Sequence, residues 1–345
     1  MSPGRKILGL FLVGIFIGTV TGQTGCDPYI GKWVLDSAYP LYNSSECPFI
    51  RKEYDCIKYG RPDRRYLQFR WQPLHCDLPR FDGEEFLKRF REKKIMFVGD
   101  SISINQWESL LCMLHAALPD STVIQQSNET FRSYTFKEYG TSVMLCLNHY
   151  LVDIEEEDIG RVLKLDSLKS GDLWKEMDVL IFNTWLWWNR RQPGQPWDYI
   201  QIGNQRVKDM DRMKAFEHAL RTWAKWVDSE VDTHKTTLFF QGISPTHYNG
   251  KDWNEQGVKN CGNETSPVAG STYPGGLPAA SFTLQKVLNG ISNPVHLINI
   301  TTLSQLRKDA HPGTYSGLRE MDCIHWCIAG LPDAWNQLLY AALIS

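Results

Sequence analysis

Five short apolar runs, at 95–98, 142–147, 178–182, 237–243 and 295–300, alternate with stretches of helical periodicity at 84–92, 103–118, 211–230 and 333–344. An apolar run of strand length needs cover on both faces, and helices between successive runs supply it. The alternation predicts an α/β fold, a mostly parallel sheet with helices on both sides. Catalytic groups in such sheets gather at the carboxyl ends of the strands. One strand, Lys94-Ile95-Met96-Phe97-Val98, runs into Gly99-Asp100-Ser101; another, Asp178-Val179-Leu180-Ile181-Phe182, runs into Asn183.

After the serine, Ile104, Trp107, Leu110, Leu111, Leu114 and Leu118 recur at helical spacing until Pro119. Ser101 therefore falls at a helix N-terminus, where backbone N–H groups and the dipole favour an oxyanion. Near the other end, Asp322-Cys323-Ile324-His325 places an acid and an imidazole three positions apart. Hydroxyl, imidazole and carboxylate are the parts of an acyl-transfer triad: Ser101 as nucleophile, His325 as base, Asp322 as its orienting partner. Either motif alone reads equally as an ordinary turn or a chance spacing. The Gly-x-Ser-x-Gly signature of α/β-hydrolases is missing, since Ile102 and Ser103 follow Ser101. The Ser101 N–H and the Asn183 side chain are the candidate oxyanion donors, with a strand-end turn as the plainer reading of Asn183.

Trp185, Trp187, Trp188 and Trp197 follow Asn183 closely. Flat rings beside a strand end suggest a platform for pyranose faces, although aromatic side chains more often pack in a core. Arg190 and Arg191 could meet the carboxylates of an acidic sugar or simply be solvated. Trp223 and Trp226, spaced i, i+3, read as helix packing. His149, His247 and His311 sit in no motif and default to core or surface roles.

The N-terminus carries Arg5 and Lys6, then fourteen uncharged residues from Ile7 to Val20, then Thr21-Gly22-Gln23. Residues 1–22 read as a signal peptide or a short signal anchor, the run being short for a full span. Sequons at Asn43, Asn128, Asn263 and Asn299 suit the secretory lumen. There the nine cysteines become disulfide candidates. Their odd number leaves at least one thiol free or paired with another chain, and Cys146, within an apolar strand, is the best candidate. Zinc at Cys323-Ile324-His325-Trp326-Cys327 would need further ligands that no second motif supplies, so no metal is expected. The Cys- and Pro-rich stretch at 23–80 reads as a stapled lobe, 81–345 as the catalytic domain, and Pro267 to Pro278 as a long loop near the sheet edge. A net charge of −2 gives no reason to expect nucleic acid. No phosphate-cradling Gly-rich loop is visible, so no bound cofactor is expected and the acetyl donor is not legible.

Gly99-Asp100-Ser101 with Asn105-Gln106-Trp107, and Asp322-Cys323-Ile324-His325-Trp326-Cys327 with Asp333-Ala334-Trp335-Asn336, resemble the two signature blocks of the plant trichome-birefringence-like family. Gly25-Cys26-Asp27, Gly31-Lys32-Trp33-Val34, Tyr39-Pro40-Leu41-Tyr42, Cys47-Pro48-Phe49 and Trp71-Gln72-Pro73 resemble the domain that precedes them there. The resemblance implies a three-layer SGNH/GDSL-esterase-like fold and a Golgi O-acetyltransferase acting on xylan, glucomannan, xyloglucan or pectin. It also implies the triad Ser101, His325 and Asp322, and bridges Cys26–Cys76, Cys47–Cys112, Cys56–Cys327 and Cys261–Cys323, leaving Cys146 unpaired. Many relatives carry Arg where this chain has Ile104; the branch with an apolar residue there has been linked to pectin. An acetylesterase using water as acceptor and a binding protein with an idle triad are the competing expectations.

Overall fold

A computed structural model describes residues 26–344 except 129, 130 and 192, so the expected signal segment at 1–22 lies outside the described residues. The N-terminal lobe holds an antiparallel ribbon of β1 (Gly31–Leu35) and β2 (Phe69–Pro73). Then come α1 (Gly83–Arg89), β3 (Lys94–Gly99), α2 (Ser101–Ala117), β4 (Val123–Ser127), β5 (Phe131–Phe136) and β6 (Thr141–Leu147). The middle of the chain forms β7 (Asp153–Glu157), β8 (Gly160–Lys164), β9 (Val179–Phe182), β10 (Tyr199–Ile202) and β11 (Gln205–Val207). It closes with α3 (Arg212–Glu230), β12 (Thr237–Gln241), α4 (Ala279–Leu288), β13 (His296–Ile298), α5 (Thr301–Gln305) and α6 (Leu331–Ile344).

The main sheet runs β13-β12-β9-β3-β6-β5-β4; its first five strands are parallel, and β5 and β4 continue it antiparallel. Those five parallel strands are the five apolar runs. Successive side chains on a strand point to opposite faces, and the core divides accordingly. Ile95, Phe97, Val143, Leu145 and Ile181 pack with residues of α1, α2 and α6. Met96, Val98, Met144, Leu180 and Phe182 pack with residues of α3 and α4, including Trp223 and Trp226. The result is the expected three-layer α/β/α arrangement. A four-stranded sheet, β11-β10-β8-β7, adds to the second layer. Its charged strands carry no apolar signal; across it Lys164 pairs with Glu155 and Glu157, a cross-strand stabilisation that composition does not advertise.

The lobe is tied into the domain rather than set apart from it. Cys26–Cys76 closes the ribbon, Cys47–Cys112 reaches α2, Cys56–Cys327 reaches the segment carrying His325, and Cys261–Cys323 staples that segment a second time. Cys146 is buried in β6 as a free thiol. The Asp333-Ala334-Trp335-Asn336 block joins the layers. The Asp333 carboxylate accepts from Tyr42 of the lobe (2.9 Å) and from Ser109 of α2 (2.6 Å), Trp335 donates to Ser304, and Asn336 donates to the Gln106 carbonyl.

Two buried acids each contribute stability that is lost as pH rises. Burial pushes Asp333 up to about 6 against its hydrogen bonds, and Glu108 up to about 7 against its Arg51 partner. Unfolded carboxyls titrate near 4, so between about pH 4 and 7 the folded chain holds protons that the unfolded chain has lost. Asp322, shifted the other way to about 2, matters only as pH falls below about 4. Buried His149, His247 and His311, held below their ordinary range by desolvation, act in the opposite sense below about pH 6.5, so the acid is read from a difference: the thermal midpoint of Glu108→Gln relative to wild type is expected to rise between about pH 5 and about pH 7.5. A midpoint difference that stays constant across this window contradicts the assignment.

Candidate active site

Gly99 ends β3 where a side chain cannot fit: a Cβ would lie 2.3 Å from the Asn183 carbonyl oxygen and 2.5 Å from Ser103 Oγ. Asp100 caps α2, its Oδ1 accepting from the Ile102 N–H at 2.9 Å. Its burial raises the carboxyl pKa, opposed by that N–H, by the His325 charge and by the N–H groups of Trp185 and Leu186. Ser101, the first residue of α2, stands at the helix mouth with Oγ 2.7 Å from His325 Nε2. His325 Nδ1 lies 2.7 Å from Asp322 Oδ2, while Asp322 Oδ1 accepts from the N–H groups of Ile324 (2.9 Å) and His325 (3.0 Å). Burial works to raise the Asp322 pKa, but the His325 hydrogen bond and charge and the two backbone N–H groups bring it down to about 2. The ionised carboxylate accepts a hydrogen bond from Nδ1–H, which leaves the Nε2 lone pair for the Ser101 hydroxyl.

Ser101 and His325 are 224 positions apart, and several residues hold them together. Asn105, one turn along α2 from Ser101, donates to the Trp326 carbonyl (3.0 Å) and accepts from the Trp326 N–H (3.2 Å). The lobe's Tyr54 accepts from the Ile328 N–H through its carbonyl (3.0 Å) and sets its ring 5.4 Å from that of His325. His311 stacks on Trp326 with ring centroids 3.8 Å apart, and its Nδ1 lies 2.7 Å from the His325 carbonyl oxygen. Behind it His247 Nδ1 is 2.7 Å from His311 Nε2, and Arg61 of the lobe donates to the His311 carbonyl. His247 and His311 are therefore not incidental core residues. Burial holds His247 down to about 4 and also holds His311 well below the ordinary imidazole range, so both rings are neutral.

The other candidate residues are placed less uniformly. Asn183 is buried at the end of β9 against Gly99, with its Oδ1 accepting no hydrogen bond. Trp188, expected on a sugar platform, is instead fully buried, its Nε1 donating to Thr184 (2.9 Å); Trp197 is buried too. The turn after β9 directs the Trp188 ring under α3, where it meets Tyr150 and Phe216, and Trp197, just before β10, meets Tyr150 and Trp188. Trp187 is half-buried, with His149 4.1 Å and the Arg190 guanidinium 3.8 Å from its ring centre, so protein groups already cover it. Trp185 lines a cavity. Arg190 and Arg191 are exposed, as are Asn43, Asn128, Asn263 and Asn299. Cys323 and Cys327 are bridged and hold no thiolate for zinc. The structure adds Tyr54, Asn105, His311 and Arg61 to the site; of these only Asn105, at i+4 from Ser101 within a quoted block, left a trace in the sequence.

Truncating Asn105 to Ala removes both bonds to Trp326. We expect kcat to fall about 10- to 100-fold through misplacement of His325, with KM and far-UV circular dichroism little changed. An unchanged kcat would show that the bridges alone position the loop.

Comparison with known proteins agrees with this geometry. Residues 78–342 match the GDSL/SGNH-like acyl-esterase family found in Pmr5 and Cas1p, and residues 24–77 match the PMR5 N-terminal domain. Protein trichome birefringence-like 41 of Arabidopsis thaliana is 57% identical over 99% of this chain and 97% of its own length. Protein trichome birefringence-like 38 of the same plant is 53% identical over 93% of this chain and 84% of its own length. Protein trichome birefringence itself is 36% identical over 92% of this chain and 56% of its length. With a GDSL/SGNH-like domain behind the stapled lobe, the chain belongs to the trichome birefringence-like family.

Proposed function

We propose that the protein is an O-acetyltransferase that moves an acetyl group, through an acetyl-serine, onto hydroxyls of a plant cell-wall polysaccharide of the pectin or xylan type. The observation that carries this reading is the Ser101–His325–Asp322 relay at a strand end, with contacts of 2.7 Å on both sides of the imidazole. His325 Nε2 takes the Ser101 proton as Oγ attacks the acetyl carbonyl, and returns it to the departing group of the donor. A sugar hydroxyl then attacks the acetyl-serine, its proton going to the same nitrogen, and the Oγ–acyl bond breaks as that proton passes back to Ser101 Oγ. The oxyanion formed in each half rests on the Ser101 N–H, which as the first of α2 has no intrahelical acceptor, and on the Asn183 amide. Four bridges and four exposed sequons support a place in the secretory lumen, in the Golgi, with the N-terminus as signal or anchor.

The acyl-esterase description of the matched family favours a second reading, in which water replaces the sugar and the protein is an acetylesterase. Acetate release from an activated acetyl ester, measured with and without xylan or galacturonan oligomers, separates the two. Oligomer-dependent loss of acetate with matching acetylated product supports transfer; acetate release indifferent to the oligomer supports hydrolysis.

Intact mass after brief incubation with that ester is expected to show one added acetyl on Ser101, absent from Ser101→Ala; no adduct on the wild type contradicts covalent catalysis. Asn183→Ala is expected to lower kcat about 100- to 1,000-fold, the usual cost of an oxyanion donor. A loss below about threefold would assign Asn183 to the turn alone.

A further inference from the structure

We propose that the cavity over the carboxyl ends of β9 and β12 is a sugar subsite that takes a pyranose ring lacking a free carboxylate. The inference rests on the acyl-transfer reading above and names where its polysaccharide sits, whichever acceptor collects the acetyl group.

The cavity measures about 270 Å3, and residues of its lining neighbour those that flank the reacting pair. On one wall, Trp185 and Leu186 follow Asn183, whose carbonyl oxygen closes against Gly99, two residues before the nucleophile. On the other, Ser244 accepts from the indole N–H of Trp326 (3.0 Å), next to the base. β12, β9 and β3 are neighbours in the sheet. With strands about 4.8 Å apart, the end of β9 beneath the cavity lies about one strand spacing from the end of β3, which leads into Ser101. A ring seated there holds its own or its neighbour's substituents within reach of Oγ.

The lining suits a sugar. Trp185 and Tyr273 present aromatic surface to the apolar face of a ring. Gln305 is 5% exposed; its Nε2 donates to the Gly276 carbonyl (2.7 Å), while its buried Oε1 has no hydrogen-bond partner. A buried acceptor left in that state is unfavourable, and a sugar hydroxyl is the donor that relieves it. The charge of the lining sets the specificity. Asp252 is its one ionisable carboxylate, and neither Lys nor Arg is among the lining residues. A uronate at this position brings two negative charges together without a compensating cation, whereas a neutral sugar or a methyl-esterified uronate does not.

The test is calorimetric titration of the Ser101→Ala protein, which cannot turn over, with xylan oligomers and with methyl-esterified and de-esterified galacturonan oligomers. We expect the uncharged and esterified oligomers to bind about tenfold more tightly than the de-esterified one. Adding Asp252→Asn is expected to erase that gap, and adding Trp185→Ala to weaken every oligomer about tenfold. Equal affinities, a gap untouched by Asp252→Asn, full binding in Trp185→Ala, or no binding of any oligomer overturns the subsite. The chemistry is scored separately by the acetyl adduct on wild-type Ser101. An adduct without these binding effects removes the subsite alone, and the binding effects without an adduct remove the acyl-enzyme while leaving a sugar site.

Discussion

The docking of residues 322–327 onto the N-terminal turn of α2 is the constraint on which the rest of the molecule depends. A hydroxyl and an imidazole 224 positions apart do useful chemistry only within hydrogen-bond reach, and here they stand 2.7 Å apart. The Asn105 bonds to Trp326 set the contact locally, each worth about 1 kcal/mol net. Cys56–Cys327 and Cys261–Cys323 close loops of 271 and 62 residues. In the chain-entropy picture such closures stabilise by about 4 to 6 kcal/mol each. The hydrogen bonds aim the loop, and the bridges keep it from leaving.

Seen from that contact, the N-terminal lobe is part of the catalytic scaffold. Its Tyr54 lies against the His325 ring and bonds the backbone at Ile328, its Arg61 holds the carbonyl of His311, and its Arg51 meets Glu108 inside α2. The two motif blocks divide the work. On the proposed function Ser101, Asp322 and His325 carry the chemistry, whereas Asp100, Asn105, Asp333, Trp335 and Asn336 cap, aim and dock the elements that present them. Buried polar groups are suited to the second task because each has few acceptable partners, and a misdocked α6 would strand several at once.

What could be read from the chain follows the range of the interactions. The five parallel strands are buried on both faces, so their apolar runs stand out, and the helices around them show their period. The strands at 153–157, 160–164 and 205–207 are half-exposed and charge-laced, and nothing local distinguishes them from loops. Ser101, Asp322 and His325 were legible as residue types at strand and loop ends. The resemblance to a known family, rather than spacing, supplied the cysteine pairing. Tyr54 and Arg61 act through contacts across hundreds of positions, and His311 through contacts 14 and 64 positions away, so none left a local signal. Trp188 misled because a tryptophan beside a strand end looks alike whether its ring turns to solvent or, as here, under α3.

Covalent and hydrogen-bonded clamping of the His325 segment, more than the stability of the sheet, is what should set activity. The decisive experiment follows acetyl-serine formation and far-UV circular dichroism together while the protein is titrated with a thiol reductant. Acetylation is expected to disappear at reductant levels that leave the sheet signal intact. Coincident loss of both signals, or full activity after the bridges have opened, would contradict it.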